Sequence, residues 1–487
     1  MKKRRGLLVL WGLLSTLLLT GCLFRSPSEL YKIPEVSAGY SKLESAIKSV
    51  RLGLEAETGA NSEVAVILSG DNTATIQLQD LDGDGERESA LAFVRVPGVE
   101  KQIKIYIFRQ IGENFQVTGL IEGSGTAIYS IDYVDLNGKG DKELVVNWQL
   151  STGVYQLGAY TLDELELPKE KEPPKVPKAV TTVDRQSVLA TELMLTSCST
   201  ATDGSNVSSG FQIVDMDRDT RMEIAVVKLD SGGLGSQLAV YGWHEGAFVC
   251  VDSVNLSTGM TTLNRVRSNY LKGELFTPAI YVTGTLADSS RVIDVVAYQG
   301  DKLVNISMDP DSGISREHLQ GYADVNPTDV DGDGVVELPS PMPLPSAGEN
   351  TAPNFWLIDW GRYGQSGKRS HVMTTYHNVA DGWYLEIPAS WRNKITISRR
   401  DQISGQREVI FSLWRGDESE PRPFLSIYRL TGGNKQMQAT SSGRFVLRED
   451  ENVIYAAKFY DAGWDCGLDE NGLLQSFNTI QSSWYYD

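Results

Sequence analysis

The stretch DLDGDGERE at residues 80–88 decides how the chain reads, because it returns almost unchanged as DVDGDGVVE at 329–337. Self-comparison finds two further copies, DLNGKGDKE at 135–143 and DMDRDTRME at 215–223. Every copy has Asp at relative position 1 and Glu at position 9. Three copies add Asp at positions 3 and 5, whereas the copy at 135–143 has Asn137 and Lys139 there. Carboxylates at alternate positions of a tight loop turn toward one point, and Gly at positions 4 and 6 permits the sharp backbone this needs. Such a loop suits calcium, a hard cation that takes about six to eight oxygen ligands. The plain alternative is that Asp and Gly simply make good turns between strands. Four acids so close together would then repel one another.

The flanks place these strings in a larger repeat. SALAFVRV, LVVNWQL and IAVVKL follow three of them as Val- and Ile-rich runs that read as strands. Further on come segments with a polar Gly turn between apolar runs: QIKIYIFRQIGENFQVTGLI, QLAVYGWHEGAFVCVDSV, RVIDVVAYQGDKLVNISM and FWLIDWGRYGQSGKRSHVMTTYH. Each reads as a β-hairpin. The unit is strand, acidic loop, strand, hairpin. Asp80 and Asp135 are 55 residues apart, and Asp215 and Asp329 are 114 apart, twice 57. A fifth copy without acids is therefore expected near residue 272, in SNYLKGELFTPAIYVTG. The longer gap between the second and third strings holds ELELPKEKEPPKVPKAV at 164–180, a Pro-rich, charged insertion. Four-strand units of this period are the signature of propeller blades.

At this point the chain resembles the FG-GAP/VCBS repeats of integrin-α-type β-propellers, over roughly residues 60–375. The resemblance implies a calcium-loop β-propeller, complete or partial, with about five recognisable blades. It implies structural Ca2+ held by Asp80, Asp82, Asp84 and Glu88, by Asp215, Asp217, Asp219 and Glu223, and by Asp329, Asp331, Asp333 and Glu337. Asp135, Asn137 and Glu143 form a weaker set, because Lys139 brings a positive charge to the cation's place. An EF-hand would need its Glu at position 12 and flanking helices, whereas here the acid stands at 9 and a β-run follows.

The amino terminus sets an expectation of place. Lys2, Lys3, Arg4 and Arg5 precede the apolar run GLLVLWGLLSTLLLT, followed by Gly21 and Cys22. A basic start, a short apolar run and a small-residue cut site make a signal peptide, expected over 1–21. Leu19-Thr20-Gly21-Cys22 resembles the bacterial lipobox, which implies lipidation of Cys22 and a tether over 22–40. The expected location is extracytoplasmic, lipid-anchored to the cell membrane, of Gram-positive type. A propeller over 41–375 would follow, then a β-rich or α+β domain over 376–487 containing runs such as REVIFSLWRG and PFLSIYRLTG. SKLESAIKSVRLGL places Leu43, Ile47 and Val50 at helical spacing, which predicts one amphipathic helix before the repeats. The aromatics of the carboxy-terminal region (Trp383, Tyr384, Trp391, Trp414, Tyr428 and Trp464) are expected to fill a core.

A net charge of −18 argues against nucleic acid as a partner. Cys198, Cys250 and Cys466 permit at most one intrachain disulfide, and neither they nor the four scattered His residues have metal-site spacing. The chain lacks a nucleophile elbow, a His-Glu-x-x-His and a Walker loop. The expected function is therefore a surface binding or scaffolding lipoprotein, with a protein or glycan ligand. The alternatives are a glycan lyase or hydrolase on the same scaffold, or an envelope-assembly factor.

Overall fold

The computed structural model describes residues 38–87, 89–161, 187–188, 193–195, 210–229, 235–244, 247–273, 276–319, 325–345, 355–401, 403–416 and 420–480. The expected leader, Cys22, most of the tether, Glu88 and the 164–180 insertion lie outside the described residues. The chain is mainly β. The described residues form six antiparallel sheets of four or five strands, nearly all in simple up-and-down order.

The first sheet contains Ile76–Gln79, Ser89–Arg95, Ile103–Ile111 and Asn114–Gly123, with Glu63–Val64 at its edge. The second is built on Ala127–Val134, Glu143–Ser151 and Val154–Thr161, and the third on Phe211–Val214, Glu223–Lys228, Gln237–His244 and Ala247–Asn255. The fourth runs through Met260–Leu271, Thr277–Leu286, Arg291–Gln299 and Lys302–Asn305. The four expected hairpins all form at the quoted segments. The acid-less copy is the short connection between Met260–Leu271 and Thr277–Leu286.

The strands read as continuous apolar runs because both faces of each sheet are covered by another layer. Side chains alternate across a strand, so one strand feeds two cores. Leu91 and Phe93 pack against Leu144, Val146 and Trp148 of the second sheet. Ala90, Ala92 and Val94 turn the other way, onto the helix Ala38–Thr58 through Leu43 and Leu54. Val145 of the second sheet meets Ile224 and Val226 of the third. Ala225 and Val227 meet Ile280 and Val282 of the fourth. Tyr281 and Val295 meet Leu338 and Tyr363 of the fifth. The sheets thus stand in series, and a helix covers the outer face of the first.

The fifth sheet departs from the expected domain division. Its strands are Leu338–Pro343, Trp356–Tyr363, Arg369–Asn378 and Trp383–Glu386, and the late strand Phe477–Thr479 pairs with Trp383–Glu386. The boundary expected at 375 therefore falls inside a strand. Ile395–Arg400, Gln406–Leu413, Arg422–Thr431, Phe445–Glu449 and Val453–Phe459 form the sixth sheet, which shares a core with the fifth through Leu357, Tyr376, Trp383, Phe411, Leu425 and Ala457. Trp383 and Trp391 are fully buried there, as a core reading of the aromatics requires. The short helix Lys435–Thr440 covers the sixth sheet's other face through Ala439, against Tyr428, Leu430, Ile454 and Ala456. Among the described residues no helix is long and apolar enough to cross a membrane.

Candidate cation-binding edge

The first three acidic strings join the first two strands around their loop, the fourth precedes Leu338–Pro343 with Thr328 bridged to Glu337, and the loops share one internal geometry. At position 1, Asp80, Asp135 and Asp329 each accept from the backbone N–H groups of positions 4 and 6. For Asp80 the donors are Gly83 (2.8 Å) and Gly85 (3.0 Å). For Asp135 they are Gly138 (2.6 Å) and Gly140 (2.9 Å). For Asp329 they are Gly332 (2.7 Å) and Gly334 (2.8 Å). At position 9, buried Glu143, Glu223 and Glu337 accept from the position-2 amides of Leu136 (2.7 Å), Met216 (2.7 Å) and Val330 (2.9 Å). The glutamate thus clamps the loop's entry to the start of the next strand.

The loops also link one sheet to the next. The position-8 amide of Lys142 donates to Leu81 O in the first loop at 2.8 Å, and that of Met222 to Asp135 O in the second at 3.2 Å. Val336, at the same position of the fourth loop, donates to Asn269 Oδ1 of the fourth sheet at 3.2 Å. Three equivalent amides therefore reach back to the preceding sheet, which brings the first three loops together along one edge.

Within this frame the acids meet different countercharges. Around 329–337, Arg362 Nη1 lies 3.3 Å from Asp331 Oδ2, 2.6 Å from Asp333 Oδ2 and 3.1 Å from Glu337 Oε1. Lys272, from the connection between Met260–Leu271 and Thr277–Leu286, adds a 2.8 Å pair to Asp333. Burial raises Asp333, but the Lys272 hydrogen bond and the Arg362 charge hold it below the usual carboxylate range. Burial pushes Glu337 up to about 7. In the first loop Arg109 pairs with Asp82. In the second, Asn137 Nδ2 donates to Glu143 Oε1, so an amide stands where the other loops gather carboxylates.

In the third loop the countercharge is Arg221, paired with Asp219. Arg221 is drawn aside, donating through Nε to Asp219 Oδ2 at 2.6 Å and through Nη1 to Trp243 O at 3.3 Å. Burial pushes Glu223 up to about 7, and the Asp217, Asp219 and Asp215 carboxylates push the same way. Burial likewise raises Asp217. Asp215 Oδ1 is buried without a hydrogen-bond partner.

The residues fit a hard cation in three loops. One oxygen from each of Asp80, Asp82 and Asp84 lies within 4.8 Å of the others, and the same holds for Asp215, Asp217 and Glu223 and for Asp329, Asp331 and Asp333. That spread matches ligands about 2.3–2.6 Å from a shared centre. Asp219 is turned to Arg221, and Glu337 stands outside the compact trio, bonded to Val330 N–H. Among the described residues, 135–143 forms no such group. Sequence reasoning missed Arg109, Arg362 and Lys272 because they come from other strands or turns. The one available signal was register, since pairing of Leu338 with Gly361 sets Arg362 opposite Glu337.

No family model and no curated protein matches the chain. Among solved structures it is similar to Bacillus licheniformis rhamnogalacturonan lyase PL11, at 14% identity and a TM-score of 0.28, over 70% of this chain and 68% of that one. It is also similar to BBS1N from a complex with ARL6DN, at 12% identity and a TM-score of 0.25, over 83% and 97%. A hypothetical protein from Leishmania major aligns at 10% identity and a TM-score of 0.19, over 66% and 91%.

Proposed function

We propose that the chain is an extracytoplasmic lipoprotein, anchored through Cys22, whose acid-looped sheets form a partial propeller and act as a calcium-stiffened binding scaffold for a protein or glycan. The observation that carries this reading is the edge itself, where equivalent loops hold converging carboxylates and pass hydrogen bonds from sheet to sheet. Calcium belongs to Asp80, Asp82 and Asp84 and to Asp329, Asp331 and Asp333, where one oxygen of each carboxylate converges. Its role is a clamp: an ion that binds the folded loops and not the unfolded chain adds stability by mass action. The loop at 135–143 keeps the same backbone through the Asn137 amide and needs no ion.

Calcium titration by calorimetry tests the metal assignment. Asp82→Ala and Asp331→Ala are each expected to remove one binding event, and a protein that takes up no calcium contradicts it. Cell fractionation tests the anchor. Cys22→Ala is expected to release the protein from membranes, and retention in the membrane fraction counts against lipidation.

A further inference from the structure

The third and fifth sheets give the same carboxylate frame two different neighbours. In the fifth, the register sets Arg362 opposite Glu337, and its guanidinium lies among the carboxylates of positions 3, 5 and 9. In the third, pairing of Ile224 with Tyr241 sets Gly242 opposite Glu223. A Cβ built on Gly242 would lie 3.2 Å from Glu223 Cγ and 3.7 Å from its Oε1, so this carboxylate faces a residue with no side chain. Glu223 is only 7% exposed, and Met216 N–H is its one described hydrogen-bond donor, bound at Oε2. The buried Oδ1 of Asp215 has no hydrogen-bond partner.

A cavity of about 640 Å³ opens at this point. Asp217, Glu223 and Gly242 line it together with Trp243, Tyr298 and Asp301. Arg218 and Arg221 also line it, but Arg221 is committed to Asp219 and Trp243 O. The volume is far larger than a bare ion needs and is ordinary for a small organic ligand. The wall combines carboxylates with two aromatic side chains, a pairing that suits a planar, delocalised cation through charge-assisted hydrogen bonds and ring stacking.

We propose that this cavity binds a guanidinium group, the arginine side chain of a peptide, seated at Glu223 and Asp217 where the fifth sheet seats its own Arg362. The assignment deepens the binding-scaffold reading by naming the partner's chemistry. It stands independently of calcium at the loops around Asp82 and Asp331.

Calorimetry on the purified full chain in calcium-free buffer, with agmatine and Gly-Arg-Gly as probes, tests it. The expected result is saturable one-to-one binding, weakened about tenfold or more by the isosteric Glu223→Gln change. Gly242→Arg supplies the guanidinium from within the chain and is expected to abolish binding. Should that variant fold poorly, Glu223→Gln and Asp217→Asn decide the matter. The proposal is overturned if neither probe binds, if binding survives both acid-to-amide changes, or if calcium alone occupies Glu223 and agmatine does not compete with it. The calcium reading fails by a different result, the absence of calcium uptake sensitive to Asp82→Ala and Asp331→Ala.

Discussion

Gly83 shows how tightly the acidic edge is built. Its φ is +73°, and a Cβ there would come within 2.0 Å of Gly140 O in the neighbouring loop. Left-handed backbone costs an L-residue roughly 1–2 kcal/mol, and here a clash with backbone adds to it. Gly83→Ala is expected to lower stability by more than about 2 kcal/mol in urea unfolding. The third loop holds the same conformation without glycine, with Arg218 at φ 66° and Thr220 at φ 78°. Thr is β-branched and poorly suited to that region, so Thr220→Gly is expected to raise stability by about 1 kcal/mol. Asn137 offers the converse case. Asn137→Asp sets a carboxylate against Glu143 Oε1 and is expected to lower the melting temperature in chelator, with calcium restoring it. A melting curve equal to that of the parent in chelator would show that the amide is not compensating Glu143.

At the scale of elements, the hairpins and loops were legible because their signals are local: apolar runs, Gly turns and evenly spaced acids. The helix Ala38–Thr58 was legible for the same reason, with Leu43 buried and Ile47 and Val50 packed beside it. The fifth sheet was not, because Phe477 pairs with Leu385 across an entire intervening sheet. Countercharges escaped for a related reason. Arg109 lies 27 residues from Asp82, and Arg362 lies 25 from Glu337, distances that only strand register resolves. The strand Arg369–Asn378 also carries a pH effect. His377 lies between the rings of Trp360 (6.0 Å) and Tyr384 (5.4 Å), and burial pushes it down from 6.5 to about 3. The folded imidazole stays neutral while the unfolded one takes a proton below 6.5. Its contribution is therefore present above that pH and is lost as pH falls toward about 3, by up to about 1.4 kcal/mol per unit. His377→Phe is expected to flatten the acid side of the stability profile in urea midpoints measured between about pH 7 and about pH 4.5. An unchanged slope would place the acid sensitivity elsewhere.

The whole molecule is a series of sheets in which each layer is the wall of two cores, with helices over the outer faces of the first and sixth. The acidic loops add cross-links that apolar packing does not supply, and they gather negative charge in a chain already at −18. On this account a divalent cation offsets that repulsion at several sheets together, so its effect appears in global unfolding rather than in one loop. The most direct measurement is the thermal unfolding of the purified full-length protein in calcium and in chelator, beside Asp82→Ala/Asp331→Ala. The account predicts a higher melting temperature in calcium and a smaller gain in the double variant. Superimposable curves in calcium and chelator would contradict it.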